Sequence, residues 1–368
     1  MPARFRKKAD PVRFAFFGCG AAGMNHLAEL CRIQEARVAA VCDLRRSAAQ
    51  AAARRFGIPK AYTDAEKLFA REKVDAAAIV TSTGSHCPLT LLAARHKAHV
   101  IVEKPMATRV EEAHKMVRTC RRAGVILAVT YTYRFVPETR AIKRLIDSGR
   151  LGRLLEVRFT TYGGEPFKYP RGSDERRRMD GFYSDKGLGM VYDCGTHAFD
   201  LLAWYAGAAP KRVEAWGTHH LDYPYPDTAT ALIEFDNGVK GVYDYGSLAG
   251  AYDHFGQGRS VLTIMAVGEG GSAVYNLAAG VAGRSARLSY LDILTKASHR
   301  VRTFPVYGKQ RDVQYRQFIR SVRAGRPIGN FPTPEEALLA TKLSWQVLRR
   351  CMRNPVRSPL RSAESGRR

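Results

Sequence analysis

The sequence predicts an α/β fold in two parts: a doubly wound parallel sheet at the N-terminus, then an α+β domain with a large, mostly antiparallel, open-faced sheet. Three observations carry this expectation. A glycine-rich turn, Gly18-Cys19-Gly20-Ala21-Ala22-Gly23, separates a short apolar run from a helical pattern. Apolar runs and amphipathic stretches then alternate as far as residue 130, the rhythm of parallel strands joined by helices. After residue 150 the pattern becomes one of alternating β-branched and aromatic residues broken by short turns, which reads as antiparallel pairing.

In chain order, the first part has strands expected at Arg13–Phe17, Val38–Cys42, Ala76–Thr81, Val100–Val102 and Val125–Tyr131. Helices are expected from Gly23, Ser47 and Pro88, and over Val110–Ala123, which together suit a six-stranded doubly wound sheet. A helix at Glu138–Ser148 precedes strands at Leu154–Tyr162, Arg212–Thr218, Thr228–Phe235, Gly238–Tyr245 and Ser260–Val267. Asp236-Asn237-Gly238 is a hairpin turn, because its residue types accept positive φ. Further helices are expected at Gly195–Tyr205 and Val313–Ala324, and at Pro334–Arg350 with Thr333 as N-cap and Glu336 at the capping-box position. The expected division is residues 10–130, residues 131–352 and a basic disordered tail over 353–368. Helices covering one face of the second sheet leave the other free for a second subunit.

The chain has 368 residues, 45% of them hydrophobic, enough to bury two cores. Its 59 Lys and Arg against 34 Asp and Glu give a formal charge of +25. Much of the excess is terminal: Arg4, Arg6, Lys7 and Lys8 at one end, and Arg349, Arg350, Arg353, Arg357, Arg361, Arg367 and Arg368 at the other. With no helix-turn-helix, zinc-finger or RNA-binding signature beside them, these read as solvated ends rather than a nucleic-acid surface. Seven cysteines without a C-x-x-C pair argue against a disulfide framework or a metal centre and fit a reducing cytoplasm. No run is apolar enough for a membrane helix.

The glycine turn has the G-x-G-x-x-G spacing of a Rossmann fingerprint, and both its flanks are right: a strand before, a helix after. Gly18, Gly20 and Gly23, with Ala21 and Ala22 between them, let backbone approach a pyrophosphate at a helix N-terminus. Asp43 ends the second strand 20 residues beyond Gly23, where a carboxylate bonds the adenosine ribose; helix capping is its other reading. The acid favours NAD, while the neighbouring Arg45 and Arg46 keep NADP open. Thr81-Ser82-Thr83 and His86 form a polar loop at the third strand end, able to meet the nicotinamide half, with His86 equally placed to cap the next helix.

Glu103-Lys104-Pro105 closes the fourth strand. A lysine there donates to a substrate hydroxyl and stabilises charge on its oxygen. Asp193 and His197 stand one helical turn apart, so a carboxylate accompanies an imidazole suited to exchanging a hydroxyl proton.

With these residues in hand, the chain resembles the Gfo/Idh/MocA group of NAD(P)-dependent oxidoreductases, over residues 11–352. The likeness rests on the glycine fingerprint, the strand Ala98–Pro105, the segment Thr132-Tyr133-Arg134-Phe135, the stretch Asp193–Asp200 and the turn Gly268–Ser272. It implies hydride transfer between NAD, or NADP, and a hydroxyl carbon of a sugar, sugar derivative or cyclic polyol. Lys104, Asp193 and His197 are then the catalytic set, with His197 as base; Tyr133 and Arg134 line the substrate pocket and Glu103 steadies the nicotinamide ribose. Two departures stand out. Thr81-Ser82-Thr83 replaces the usual Thr-Pro-Asn, and Leu188 interrupts the glycines before Asp193.

The loop Gly163–Asp185, with Phe167, Lys168, Tyr169, Arg171 and Arg176 to Arg178, suits a phosphorylated, nucleotide-linked or acidic sugar, or is simply a solvated basic loop. Two other functions stay open: a non-catalytic NAD-binding regulator, and an NAD-dependent glycosidase using transient oxidation. The expected partners are a small-molecule sugar or polyol and further copies of the chain, as dimer or tetramer, with no nucleic acid, membrane or metal.

Overall fold

β1 (Val12–Phe17) is apolar apart from the half-exposed Arg13 and otherwise buried, as a strand covered on both faces must be. It pairs in parallel with β2 (Ala36–Cys42) on one side and, beyond β3 (Ala61–Tyr62) in the chain, with β4 (Ala76–Ile79) on the other. With β5 (His99–Val102) and β6 (Leu127–Val129) the sheet is parallel throughout, in the order β3-β2-β1-β4-β5-β6. The order reverses between β1 and β4, which makes the carboxyl edge there the ligand crevice of such a sheet. Helices α1 (Ala21–Leu30), α2 (Arg46–Phe56), α3 (Ala65–Arg71), α4 (His86–Arg95) and α5 (Val110–Ala123) connect the strands. The computed structural model describes residues 10–162, 188–220, 224–246, 261–278, 288–296, 298–305 and 310–356.

The second sheet is built from β7 (Leu154–Tyr162), β8 (Pro210–Thr218), β9 (Thr228–Phe235), β10 (Lys240–Gly246), β11 (Val261–Gly268), β12 (Gly271–Ala278), β13 (Leu288–Thr295), β14 (Ser298–Pro305) and β15 (Pro355–Val356). Their order is β14-β13-β12-β11-β7-β10-β9-β8-β15, antiparallel except where β10 meets β7 and β15 meets β8. Two helices, α6 (Pro137–Asp147) and α7 (Gly189–Ala206), pack on one face, α6 on β11 and β12, α7 on β7, β9 and β10. Strand alternation does the sorting: in β9 Ala229, Ala231, Ile233 and Phe235 point into that core while Thr230, Leu232 and Glu234 point away. Trp216 and Leu232, on the other face, are 42% and 49% exposed.

Two helices follow, α8 (Arg311–Ala324) and α9 (Pro334–Arg353). The chain divides into two compact units, and the segment Gln310–Glu335, expected in the second part, groups with the first. The first unit takes residues 10–107, Glu111–Thr130 and also Gln310–Glu335; the second takes Thr108–Val110, the described residues of 131–309 and those from Glu336 on. Hydrophobic burial explains the difference. Tyr315, Phe318 and Ile319 of α8 complete the core formed by Phe14, Phe16 and Leu27, with Phe14 edge-on to Tyr315 at 6.3 Å. At the start of the stretch expected to be tail, α9 runs to Arg353, and Pro355 and Val356 pair with Gly217 and Thr218. Residues beyond 356, the basic N-terminal residues and the loop Gly163–Asp185 lie outside the described residues.

Among the described residues no helix is long and apolar enough to cross a membrane, and no group of three or more His, Cys, Asp or Glu could hold a metal ion. None of the seven cysteines, all within the described residues, is in a disulfide. Burial raises the thiol of Cys19 to about 12 and that of Cys42 to about 11, helped by the nearby Asp43 carboxylate, so neither is a nucleophile at neutral pH.

Candidate functional site

In the first unit the glycine turn is fixed by contacts that tolerate no side chain. Gly18 has φ +94°, its N–H donates to Cys42 O at 2.9 Å, and a Cβ on it would lie 2.0 Å from Val80 O. A Cβ on Gly23 would lie 1.9 Å from Gly18 O. Gly20 differs, because a Cβ there would meet nothing within 4 Å. It is the N-cap of α1 with no side-chain cap, no acid follows in the first turn, and Ala21 and Ala22 are exposed. The first turn of α1 therefore carries neither a side-chain cap nor a carboxylate against the positive end of the helix dipole, as a pyrophosphate cradle requires.

Asp43 holds this loop as well as lying beside it. Its Oδ2 accepts Cys19 N–H at 2.7 Å and its Oδ1 accepts Arg45 N–H at 2.9 Å, with Arg45 Nε 3.5 Å away. Each carboxylate oxygen keeps a lone pair for a ribose hydroxyl. Thr81, Ser82 and Thr83 follow β4 at the carboxyl edge, with Ser82 exposed and its Oγ 3.3 Å from Ser85 Oγ.

His86 is placed differently from either expected role. It is 1% exposed, with Nδ1 2.8 Å from Pro105 O and Nε2 3.2 Å from Thr81 O. Both ring nitrogens face carbonyls inside the fold, and the single N–H of the neutral imidazole goes to one of them, so the ring is not turned toward a nicotinamide or the helix end. Burial lowers its basicity, against the pull of the two carbonyls.

Glu103 and Lys104 close β5, with the Lys104–Pro105 peptide in the cis form. Glu103 Oε2 accepts the Lys104 N–H at 3.1 Å and Oε1 lies 3.0 Å from His26 Nε2. Burial disfavours the Glu103 carboxylate, but His26, Lys104 and Thr130 outweigh it and bring the carboxyl down to about 2. His26, on α1, escaped the sequence analysis. Its only local signal was its position three residues after Gly23, on the buried face of the helix.

In the second unit Leu188 opens α7 with φ +60°, a left-handed conformation that costs a non-glycine residue about 1–2 kcal/mol. Its burial with Tyr192 and Leu348 offsets this. Asp193 and His197 fall on the half-exposed face of α7, while Val191, Tyr192, Gly195 and Thr196 are buried. The His197 ring stands edge-on to Tyr133 at 5.3 Å and to Tyr131 at 6.2 Å. Tyr133 comes from the short helical turn Thr132–Phe135, and burial pushes its hydroxyl well above the usual phenol range. So the structure brings Tyr133, Asp193 and His197 to one region of the second unit, and the glycines, Asp43, Thr81–Thr83, Glu103 and Lys104 to the carboxyl edge of the first.

Arg134 departs from its expected pocket role. It is 3% exposed; its Nε contacts Asp200 Oδ1 and Oδ2 at 3.1 and 2.8 Å, Nη2 contacts Oδ1 at 2.8 Å, and Nη1 contacts Glu336 Oε2 at 3.2 Å. Burial raises the Asp200 carboxyl to about 6 against the pull of Arg134, whereas the carboxylates hold Arg134 more firmly protonated despite its own burial. These two directions oppose each other. The geometry decides for an ion pair, because both carboxylate oxygens receive N–H groups.

A parallel sheet with this cradle at its switch point, joined in one chain to a broad sheet carrying an Asp–His helix face, defines the class of two-domain dinucleotide-binding oxidoreductases. Residues 12–131 match the Gfo/Idh/MocA oxidoreductase family with its NAD-binding Rossmann fold, and residues 139–274 match the Gfo/Idh/MocA C-terminal domain. The chain belongs to the Gfo/Idh/MocA family, and its first unit is the NAD(P)-binding Rossmann domain. A D-apiose dehydrogenase of Paraburkholderia graminis is 30% identical over 62% of this chain and 59% of its own length. A myo-inositol 2-dehydrogenase of Thermotoga maritima is 27% identical over 63% of this chain and 68% of its own. The chain thus spans roughly three-fifths to two-thirds of these relatives. The solved structure of an Agrobacterium radiobacter oxidoreductase in complex with NAD+, L-tartaric acid and magnesium shares the fold, with TM-score 0.77, 21% identity and coverage of 93% of this chain and 96% of that one.

Proposed function

We propose that this protein is an NAD(P)-dependent dehydrogenase or reductase acting on a hydroxyl carbon of a sugar or cyclic polyol. The observation that carries this reading is the pair Asp193 and His197 on one half-exposed face of α7, in a chain whose family membership is shown and whose β5 ends in Glu103-Lys104-Pro105. Relatives named for D-apiose and myo-inositol support the substrate class.

When bound, the nicotinamide supplies the hydride acceptor or donor. Lys104 donates a hydrogen bond to the reacting oxygen and stabilises charge developing on it. His197 takes the hydroxyl proton on a ring nitrogen, and Asp193, four residues before it, binds substrate. Tyr133 sets the plane of the His197 ring from one edge. Asp43 favours NAD over NADP by presenting a carboxylate where a 2′-phosphate would sit, with Arg45 as the group that tempers this preference. The open face of the second sheet, bearing Trp216 and Leu232, suits pairing with a second copy of the chain, which light scattering would read directly.

The test is purified full-length protein with NAD or NADP and a panel of pentoses, inositols, sugar phosphates and nucleotide sugars, followed by the absorbance of the reduced cofactor. Lys104→Met and His197→Ala should each lower kcat by about 100-fold or more while leaving cofactor affinity within about twofold. Full activity in either variant removes that residue from the chemistry. Absence of both turnover and cofactor binding rejects the reading, and net hydrolysis with unchanged cofactor replaces it with the glycosidase.

A further inference from the structure

Lys104 lies in the chain between two residues that are each gripped by a buried histidine of the first unit. On one side His26, 2% exposed, brings Nε2 to 3.0 Å from Glu103 Oε1, and its Nδ1 is 2.9 Å from the hydroxyl of Tyr315 on α8. The Glu103 oxygen left over, Oε2, accepts the amide of Lys104 itself at 3.1 Å. On the other side His86 brings Nδ1 to 2.8 Å from Pro105 O while its Nε2 reaches Thr81 O. The backbone on either side of the lysine Cα is therefore tied to a buried imidazole: His26 can donate to Glu103 while accepting from Tyr315, and neutral His86 can donate to one of its two carbonyls, Pro105 O being the nearer.

Packing does not account for these groups. Around His26 the core holds Phe14, Phe16, Leu27, Phe318 and Ile319, and an apolar residue of similar volume would bury there as well as an imidazole without the desolvation cost of a charged or polar pair. Buried imidazoles meet two oxygens of one strand end, Glu103 Oε1 and Pro105 O, one carbonyl of the neighbouring loop, Thr81 O, and the Tyr315 hydroxyl. His26 also rides on the helix whose N-terminus forms the pyrophosphate cradle, and His86 on the helix that follows the Thr81–Thr83 loop.

We propose that His26 and His86 are positioning residues that fix the direction in which Lys104 leaves the strand, with Tyr315 setting the His26 ring. The inference rests on the proposed role of Lys104 at the reacting oxygen. A displacement of a catalytic group by about 1 Å costs on the order of 100-fold in rate, so loss of either brace acts on kcat.

The test uses the full chain and the substrate that the panel identifies. His26→Leu and His86→Leu should lower kcat by about 100-fold while substrate KM and the cofactor Kd change by less than about threefold. His26→Gln, which restores a donor to Glu103, should recover at least about tenfold of that loss. Tyr315→Phe, which removes a single hydroxyl, should lower kcat by about three- to tenfold and serves if the leucine variants do not fold. A readout without cofactor accompanies these: hydrogen exchange of the peptide containing Lys104 should accelerate in His26→Leu and return toward normal in His26→Gln.

Unchanged kcat in Tyr315→Phe and in folded His26→Leu overturns the inference. So does parallel loss of cofactor affinity, unaltered exchange at Lys104, or failure of His26→Gln to recover more than His26→Leu. An active Lys104→Met enzyme instead sinks the proposed function. An inactive Lys104→Met beside a normal His26→Leu leaves that function standing and removes only the positioning role.

Discussion

Arg134 binds Asp200 through two of its nitrogens, Nε reaching both carboxylate oxygens and Nη2 reaching Oδ1, with the Trp204 ring 5.2 Å from its guanidinium carbon. This ties the turn that carries Tyr133 to the helix that carries His197, and Glu336 adds α9. Removing one partner of such a buried pair leaves an uncompensated charge. Arg134→Met should lose about 3–5 kcal/mol of stability at pH 8 by urea denaturation.

The loss should shrink at pH 5, and the sign follows from Asp200. Its carboxyl already stands at about 6, above the unfolded value near 3.8, and rises further without the arginine. A group raised on folding contributes stability that is complete below its unfolded value and disappears as pH climbs through the folded one. A variant equally unstable at both pH values contradicts this account.

Gly20 and Gly23 separate folding from cofactor binding. Because a Cβ on Gly20 meets nothing, Gly20→Ala should leave the stability of the free protein within about 0.5 kcal/mol while weakening dinucleotide binding about tenfold or more, through a methyl in the cradle. Gly23→Ala places a Cβ against Gly18 O, so it should destabilise the free protein by about 1–3 kcal/mol. Calorimetry with NAD and denaturant titration without it distinguish the two effects.

The parts of the fold legible in the sequence are those where burial imposes a long period. The continuous apolar runs of β1 and β4, the alternation in β9 and the turn Asp236-Asn237-Gly238, where Gly238 takes φ +82°, all agree with the expected elements. β3, with two residues, is too short to show any period, and α3 was missed although Asp64 caps it by accepting the Lys67 N–H. β14 carries His299, Arg300 and Arg302 on exposed positions and lacks a clean alternation. The glycines and the Asp193–His197 pair were visible because their partners are local. His26 and Tyr315 were not: 289 residues separate them, and only the docking of α8 onto α1 brings them together. Arg134 and Asp200, 66 residues apart, were each noticed but not as a pair, since one motif suggested a pocket and the other a helix.

Asp43 holds the glycine loop and, in the proposed function, also binds the adenosine ribose, and a substitution tests both. Asp43→Ala removes the acceptor of the Cys19 and Arg45 amides as well as the proposed ribose partner, so NAD affinity should fall about tenfold to a hundredfold. NADP should suffer less, because the carboxylate that repels its phosphate goes while Arg45, 69% exposed, stays. The ratio of the two dissociation constants is the measurement; an unmoved ratio means the carboxylate does not face the ribose.

Glu103 predicts an acid-sensitive contribution that its amide variant lacks. Its carboxyl is lowered from the usual value near 4.5 to about 2, burial being overcome by His26, Lys104 and Thr130. A group depressed on folding contributes stability that is present above its unfolded value and is lost as pH falls toward the folded one. The window is therefore from about pH 5 down to about pH 2, and the contribution is on the order of 3 kcal/mol. Between these limits the wild-type protein should lose that much more stability than Glu103→Gln, whose side chain does not titrate. Denaturation curves of the two proteins at several pH values read the difference, and parallel curves would show that the His26–Glu103 contact does not hold the carboxylate ionised.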